Sequence, residues 1–279
     1  MHRRDLLAGA VSGAFGVAGI SRLDLLKQDD AGAAGAPPAE RAPQHQTPHQ
    51  GSHRVVWSVE NAGGLAALTF DDGPTPELTP RILDVLDRYG VGATFLMMGH
   101  NVARHPGLVE EVVAAGHEVG NHTWSHVNLN DADEETTRTE IERGADAIAA
   151  AIGARPTLFR PPRGQMSGWG LRYAALSGAE ITLMWSISRG VKDTGTPDAI
   201  AQHLAAIGSG DVACLHDGLG RGHFNPDATF TQDLVARREV EVAALPRVIE
   251  EARARGITLV TVSELLAAEQ AAPSEAAAS

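Results

Sequence analysis

A short apolar run, Leu65-Ala66-Ala67-Leu68-Thr69-Phe70, leads directly into Asp71-Asp72-Gly73-Pro74, and this junction constrains the fold more than any other part of the chain. Such a run ended by turn formers reads as a buried strand. Gly-Pro turns the chain there, so two adjacent carboxylates sit at the strand's end. A turn alone would account for Asp, Gly and Pro. It would not account for the charge, since a buried carboxylate without a partner is costly and the nearest basic residues in the sequence are Arg54 and Arg81. A metal ion is the economical answer. Further on, His122-Thr123-Trp124-Ser125-His126 spaces two imidazoles so that a helical turn would present them on one face to one cation. Taken alone, two such histidines read as ordinary surface residues. One Asp with two His is a catalytic-type ligand set, because three protein ligands leave a position for water.

Strand-like segments at 65–70, 93–98, 118–121, 157–160, 181–185, 212–216 and 258–262 alternate with helical patterns. Thr79 reads as a cap before Pro80 at the first position of one helix, and Gly90, Gly116 and Gly256 each end one. The alternation predicts a β/α barrel, with seven strands fitting better than eight. Chemistry in such barrels sits at the C-terminal ends of strands. Asp71, Asp72, His122, Arg160, Trp185 and His216 all fall at or just past such ends.

At 279 residues, 43% hydrophobic and 21% charged, the chain suits one domain of barrel size with appendages. A formal net charge of -12 argues against nucleic-acid binding, which depends on Lys and Arg neutralising phosphates. The sole cysteine, Cys214, lies in an apolar strand and reads as a small buried hydrophobe. Residues 1–30 read as an export signal or N-terminal anchor: His2-Arg3-Arg4-Asp5-Leu6-Leu7 opens an apolar stretch to Ile20, and the arginine pair resembles a twin-arginine signal. Residues 31–53, rich in Ala, Pro, Gln and His, read as a disordered linker, and 269–279 as a disordered tail. That leaves 54–268 as the folded domain. The segment after Asp217 carries Arg221, His223 and Phe224 in a loop longer than most strand-to-helix connections, which reads as either a lid or a disordered segment.

Taken in order, Thr69-Phe70-Asp71-Asp72-Gly73-Pro74, His122-Thr123-Trp124-Ser125-His126, Arg160-Pro161-Pro162-Arg163-Gly164 and Leu215-His216-Asp217 resemble the motifs of the polysaccharide deacetylases, the NodB-homology or carbohydrate esterase family four. The resemblance implies an irregular (β/α)7 barrel and a hydrolase that removes acetyl groups from N-acetylated amino sugars of a glycan, peptidoglycan or chitin-like. It implies Asp72, His122 and His126 as ligands of one divalent metal, zinc first, with cobalt, nickel or manganese as alternatives. It also implies Asp71 as general base, Arg160 as the arginine holding that base, and His216 as general acid. The backbone N–H of Arg163 would meet the oxyanion, with Trp185 and Leu215 around the acetyl methyl. The implied partner is the glycan itself, with neither nucleic acid nor a stable protein partner. An O-acetyl esterase, another amide hydrolase, or a carbohydrate-binding protein without turnover would use the same scaffold.

Two departures stand out. The family supplies an Asp shortly after the Trp to orient the catalytic His, whereas this chain reads Trp185-Ser186-Ile187-Ser188-Arg189-Gly190-Val191-Lys192-Asp193, with no Asp in register. Either Asp193 reaches back or His216 acts without a carboxylate. The second is Arg163, where the family commonly has Tyr.

Overall fold

The computed structural model describes residues 53–190, 195–220 and 229–271, all inside one compact unit, His45–Ser279. The expected export signal, the linker up to residue 52, Asp193, the loop residues Arg221, His223 and Phe224, and the tail beyond 271 lie outside the described residues. Among the described residues no helix is long and apolar enough to cross a membrane.

The strands are β1 (Arg54–Val56), β2 (Leu65–Asp71), β3 (Thr94–Met97), β4 (Glu118–Asn121), β5 (Leu158–Phe159), β6 (Ile181–Leu183), β7 (Ile187–Ser188), β8 (Val212–His216) and β9 (Thr258–Val260). The helices are α1 (Thr79–Tyr89), α2 (Gly99–Arg104), α3 (Pro106–Ala114), α4 (Glu134–Ile152), α5 (Gly168–Leu176), α6 (Pro197–Leu204), α7 (Thr229–Ala254) and α8 (Val262–Ala271). The sheet runs β1-β6-β5-β4-β3-β2-β8-β7, and β9 pairs with the start of β2. Every ladder is parallel. The result is an α/β fold whose parallel sheet curls into an open, barrel-like arrangement. All seven expected strands are present, some shorter than expected. The very short β1 and β7 were not expected, because two or three residues leave no period to read. The terminal helix α8 runs past 268, so 269–271 belong to the fold. His53 also belongs to it rather than to a linker, with Nε2 2.7 Å from Thr182 Oγ1.

Strand periodicity explains what faces where, since alternate side chains point to opposite faces. In β2, Ala66, Leu68 and Phe70 pack in the large cluster shared with α1, α3 and α7. Ala67 joins the opposite cluster with Leu96, Leu158, Leu183 and Val212, which α8 closes through Val262 and Leu265. Thr69 and Asp71 follow Ala67 on that inner face. The same rule puts Val212, Cys214 and His216 of β8 inward and sends Ala213 and Leu215 to the helix layer. The expected glycine stops are present: Gly90 ends α1 with φ 57, and Gly116 and Gly256 have φ 84 and 78. Thr79 is not a cap. Its hydroxyl accepts the Thr75 N–H at 2.8 Å and bonds Asp217 Oδ2 at 2.8 Å.

Candidate active site

A cleft of about 370 Å³ opens at the C-terminal ends of the strands, lined by Asp71, Asp72, His122, His126, Cys214 and His216, with Arg163 and Trp185 at its side. Its floor is a fastened turn. Asp217, just past β8, accepts the Gly73 N–H at 3.0 Å and the Thr79 hydroxyl at 2.8 Å. A Cβ on Gly73 would sit 2.0 Å from the Asp217 carboxylate, so only glycine lets the two strand ends approach this closely. Asp72 holds φ 80, a left-handed conformation that a non-glycine residue adopts at a cost. Burial pushes the Asp217 carboxyl up to about 7, with Asp72 and Asp71 adding to the effect against the Thr79 and Gly73 hydrogen bonds.

Asp72 faces the two histidines. Its Oδ1 lies 3.5 Å from His122 Nε2 and 3.4 Å from His126 Nε2. That oxygen is buried and makes no hydrogen bond, although both imidazoles point at it. The three ligand atoms lie within 4.8 Å of one another. An unsatisfied buried carboxylate oxygen between two imidazole nitrogens fits a divalent cation, and the group forms a divalent-metal-binding site. His122 is pre-aligned by its other nitrogen, Nδ1, 2.8 Å from the Arg160 carbonyl. Burial lowers the His126 pKa to about 4, so that ring is neutral and ready to coordinate. Burial also opposes the charged form of His122, but Asp71 and Asp72 outweigh it and raise its pKa.

The two histidines do not share a helical face as expected from their spacing. Residues 122–126 form a bent loop in which Thr123 and His126 have φ 66 and 64. Side chains hold that loop. Asn121 Oδ1 accepts the Thr123 N–H at 3.0 Å, Thr123 Oγ1 accepts the His126 N–H at 3.1 Å, and Glu140 from α4 accepts both the N–H and the hydroxyl of Ser125 at 2.7 Å. The local hydrogen bonds outcompete helix formation here.

Asp71 is 5% exposed and Arg160 is 0% exposed. Arg160 Nη1 donates to Asp71 Oδ1 at 2.6 Å and to Thr69 Oγ1 at 2.8 Å, Nη2 donates to the Met184 carbonyl at 2.9 Å, and Nε to the Leu183 carbonyl at 3.3 Å. The guanidinium is thus satisfied from β2 and the end of β6 at once. Burial pushes the Asp71 carboxyl up, but Arg160, then His122 and His216, pull it below the usual carboxylate range. Cys214 Sγ lies 3.4 Å from Asp71 Oδ2, and Asp71, Cys214 and His216 form a second group within 4.8 Å. It suits a cation less well. Burial keeps the thiol protonated, and Arg160 already neutralises Asp71.

Arg163 follows β5 in a short 3-10 turn, Pro162–Gly164, with φ 59, and lines the cleft, as does Trp185. Leu215 does not. It is in the core cluster of the helix layer, because the alternation that aims His216 into the cleft aims its neighbour away; Cys214, two residues before His216, takes the inward place.

The structure also brings in charges that sequence reasoning missed. Glu241 of α7 reaches His216, with Oε2 2.9 Å from its backbone N and 3.2 Å from Nδ1. Oε1 of Glu241 lies 2.9 Å from Arg238 Nη1 and 3.1 Å from Arg189 Nε, and Arg238 Nη2 lies 3.3 Å from Asp72 Oδ2. Asp193, the expected stand-in, lies outside the described residues. The available signal was a charged pair three residues apart, Arg238 and Glu241, on the otherwise apolar face of α7 that carries Val242, Leu245 and Ile249.

A profile of the polysaccharide deacetylase family matches residues 58–180. The chain is 36% identical over 215 residues to a peptidoglycan-N-acetylglucosamine deacetylase of Bacillus cereus, covering 76% of this chain and 92% of that protein. It is 36% identical over 184 residues to a chitooligosaccharide deacetylase of a Bradyrhizobium species, covering 64% of this chain and 84% of the relative. The solved structure of the Bc1960 peptidoglycan N-acetylglucosamine deacetylase superimposes with a TM-score of 0.67 at 29% identity, covering 77% of this chain and 94% of that one. The chain therefore belongs to the polysaccharide deacetylase family, and its cleft is a hydrolase active site of the NodB deacetylase type built around a divalent-metal-binding cluster.

Proposed function

We propose that the protein hydrolyses the acetamide of N-acetylated amino sugars in a peptidoglycan- or chitin-like glycan and releases acetate. The observation that carries this reading is the convergence of Asp72, His122 and His126 beside the Arg160-paired Asp71 and the cleft-lining His216. In this reading Asp72, His122 and His126 hold one divalent ion, zinc being our choice for one carboxylate with two imidazoles. Such an ion supplies Lewis acidity, which activates water and polarises a carbonyl.

The chain's own groups then divide the work. Asp71, ionised beside Arg160, accepts a proton from the attacking water. Arg160 holds that carboxylate in one orientation. The backbone N–H of Arg163 donates to the oxygen that becomes negative as the carbonyl turns tetrahedral. His216 protonates the departing nitrogen, a step the reaction requires because an amine anion is a very poor leaving group. Trp185 walls the site, where its ring also lies 5.7 Å from the Arg160 guanidinium. We further read the sheet as an irregular (β/α)7 barrel, residues 53–271 as the catalytic domain, and the arginine-led N-terminus as directing export to the cell envelope or beyond.

Acetate release from N-acetylglucosamine oligomers and from peptidoglycan, with and without chelator, tests the reading. Chelator-sensitive release from either supports it. Absence of release from both by metal-loaded protein refutes it, and hydrolysis confined to O-acetyl esters would move the substrate class.

A further inference from the structure

We propose that Glu241 of α7 is the positioning residue for the proton donor His216, taking the part of the carboxylate that this chain does not carry in register after Trp185. The inference rests on the reading above, that His216 protonates the leaving amine.

Glu241 is 2% exposed, and each of its oxygens has a distinct task. Oε2 accepts the backbone N–H of His216 at 2.9 Å and stands 3.2 Å from Nδ1 of the same residue. A carboxylate can only accept, so Nδ1 carries a proton in this pair, and the proton that the imidazolium gives to the leaving nitrogen is the second one, on Nε2 toward the cleft. Gripping one residue by main chain and ring together restrains both the strand end and the ring rotation. Oε1 meets Arg238 at 2.9 Å and Arg189 at 3.1 Å. Burial disfavours the charge on Glu241, but His216 and then Arg238 and Arg189 more than offset it, so the group is ionised. Two arginines share its charge, so Glu241 mainly orients the imidazole and sets its tautomer. Ser188 and Arg189, from the segment after Trp185, line the same cleft as His216, and Arg189 pairs with Glu241. The carboxylate has moved from a strand-end loop to a helix.

Leaving groups separate this role from a structural one. An amide needs its nitrogen protonated, whereas an aryl acetate expels a phenolate that needs no proton. Glu241→Gln is expected to lower kcat on N-acetylglucosamine oligomers by about 100-fold with KM within about twofold, while hydrolysis of p-nitrophenyl acetate falls less than about threefold. Metal content should match wild type. In a His216→Ala background, Glu241→Gln should add little further loss on the glycan, since it acts through the residue already removed. Equal losses on both substrates, or a full additional loss in the His216→Ala background, would overturn the proposal. If the Gln variant does not fold, Glu241→Asp keeps the charge for both arginines but withdraws it by roughly 1.5 Å, and the same ratio of amide to ester rates decides. Wild-type protein inactive on every N-acetylated glycan would instead refute the proposed function and leave the ester arm readable.

Discussion

Replacing Arg160 with Met keeps much of the buried volume and removes the charge that balances Asp71. Four acceptors lose a donor: Asp71 Oδ1, Thr69 Oγ1 and the carbonyls of Leu183 and Met184. Breaking one partner out of a buried ion pair costs about 3–5 kcal/mol, and lost neutral hydrogen bonds account for roughly 1–2 kcal/mol of that. The two parts differ in pH dependence. In the wild type the Asp71 pKa is lowered on folding, so it contributes stability above its unfolded pKa of 3.8 that is lost as pH falls through the folded value. In Arg160→Met the strongest lowering influence is gone and burial is opposed only by His122 and His216, so the folded pKa stands above that of wild type and the variant falls behind as pH climbs between the two folded values. The stability difference between the two proteins should therefore grow from about 1–2 kcal/mol near pH 4 to about 3–5 kcal/mol at pH 8. Urea unfolding of both proteins, stripped of metal by chelation, measures it at each pH, and other titrating groups largely cancel in the difference. With metal restored, the acid limb of kcat/KM should move to higher pH in the variant, because Asp71 must ionise without its arginine. A pH-independent stability loss together with an unmoved acid limb would refute the pairing as the device that keeps Asp71 ionised.

Dialysis against chelator should abolish deacetylation, with zinc or cobalt restoring it; full activity in protein shown by elemental analysis to be metal-free would refute the metal reading. His126→Ala should lower metal occupancy, whereas Asp71→Asn should keep the metal and lose about 10²- to 10⁴-fold in kcat; loss of metal from the Asn variant would reverse the roles of the two aspartates. Metal retention should weaken on acidification, because the raised His122 pKa makes protons compete for that nitrogen; isothermal titration with zinc across pH 5.5 to ~8 would detect a flat affinity if this is wrong. Asp217, raised from 3.8 to about 7 chiefly by burial, costs stability as pH rises through that window. Asp217→Asn mimics its protonated form, so the metal-free variant should gain on wild type by up to about 4 kcal/mol between pH 4 and 8, and equal denaturation midpoints at both pH values would refute this.

Local chemistry made much of this protein legible from its sequence. The apolar run ending in Asp71-Asp72-Gly73-Pro74 determined a buried strand with charges at its tip, and the alternation of strand and helix patterns determined a parallel sheet with its site at the strand ends. Those features depend on periods of two and 3.6 and on turn chemistry, which neighbouring residues dictate. One Asp with His122 and His126 was legible as a ligand set from residue types and the short spacing of the two histidines, while the choice of Asp72 over Asp71 was implied by the family resemblance. Tertiary structure decided the rest. The bend at 122–126 depends on Glu140, from the following helix, and on left-handed backbone at Thr123 and His126. Cleft lining by Cys214 rather than Leu215 follows from which face of β8 turns inward, and a strand's period does not say which of its faces that is. Glu241 lies twenty-five residues beyond His216, and it reaches the site because the apolar face of α7 packs against β8, β9, α1 and α6 and carries Arg238 and Glu241 inward with it. Charge balance in a dry site is settled by whatever the fold brings within a few ångströms, and sequence distance carries no information about that.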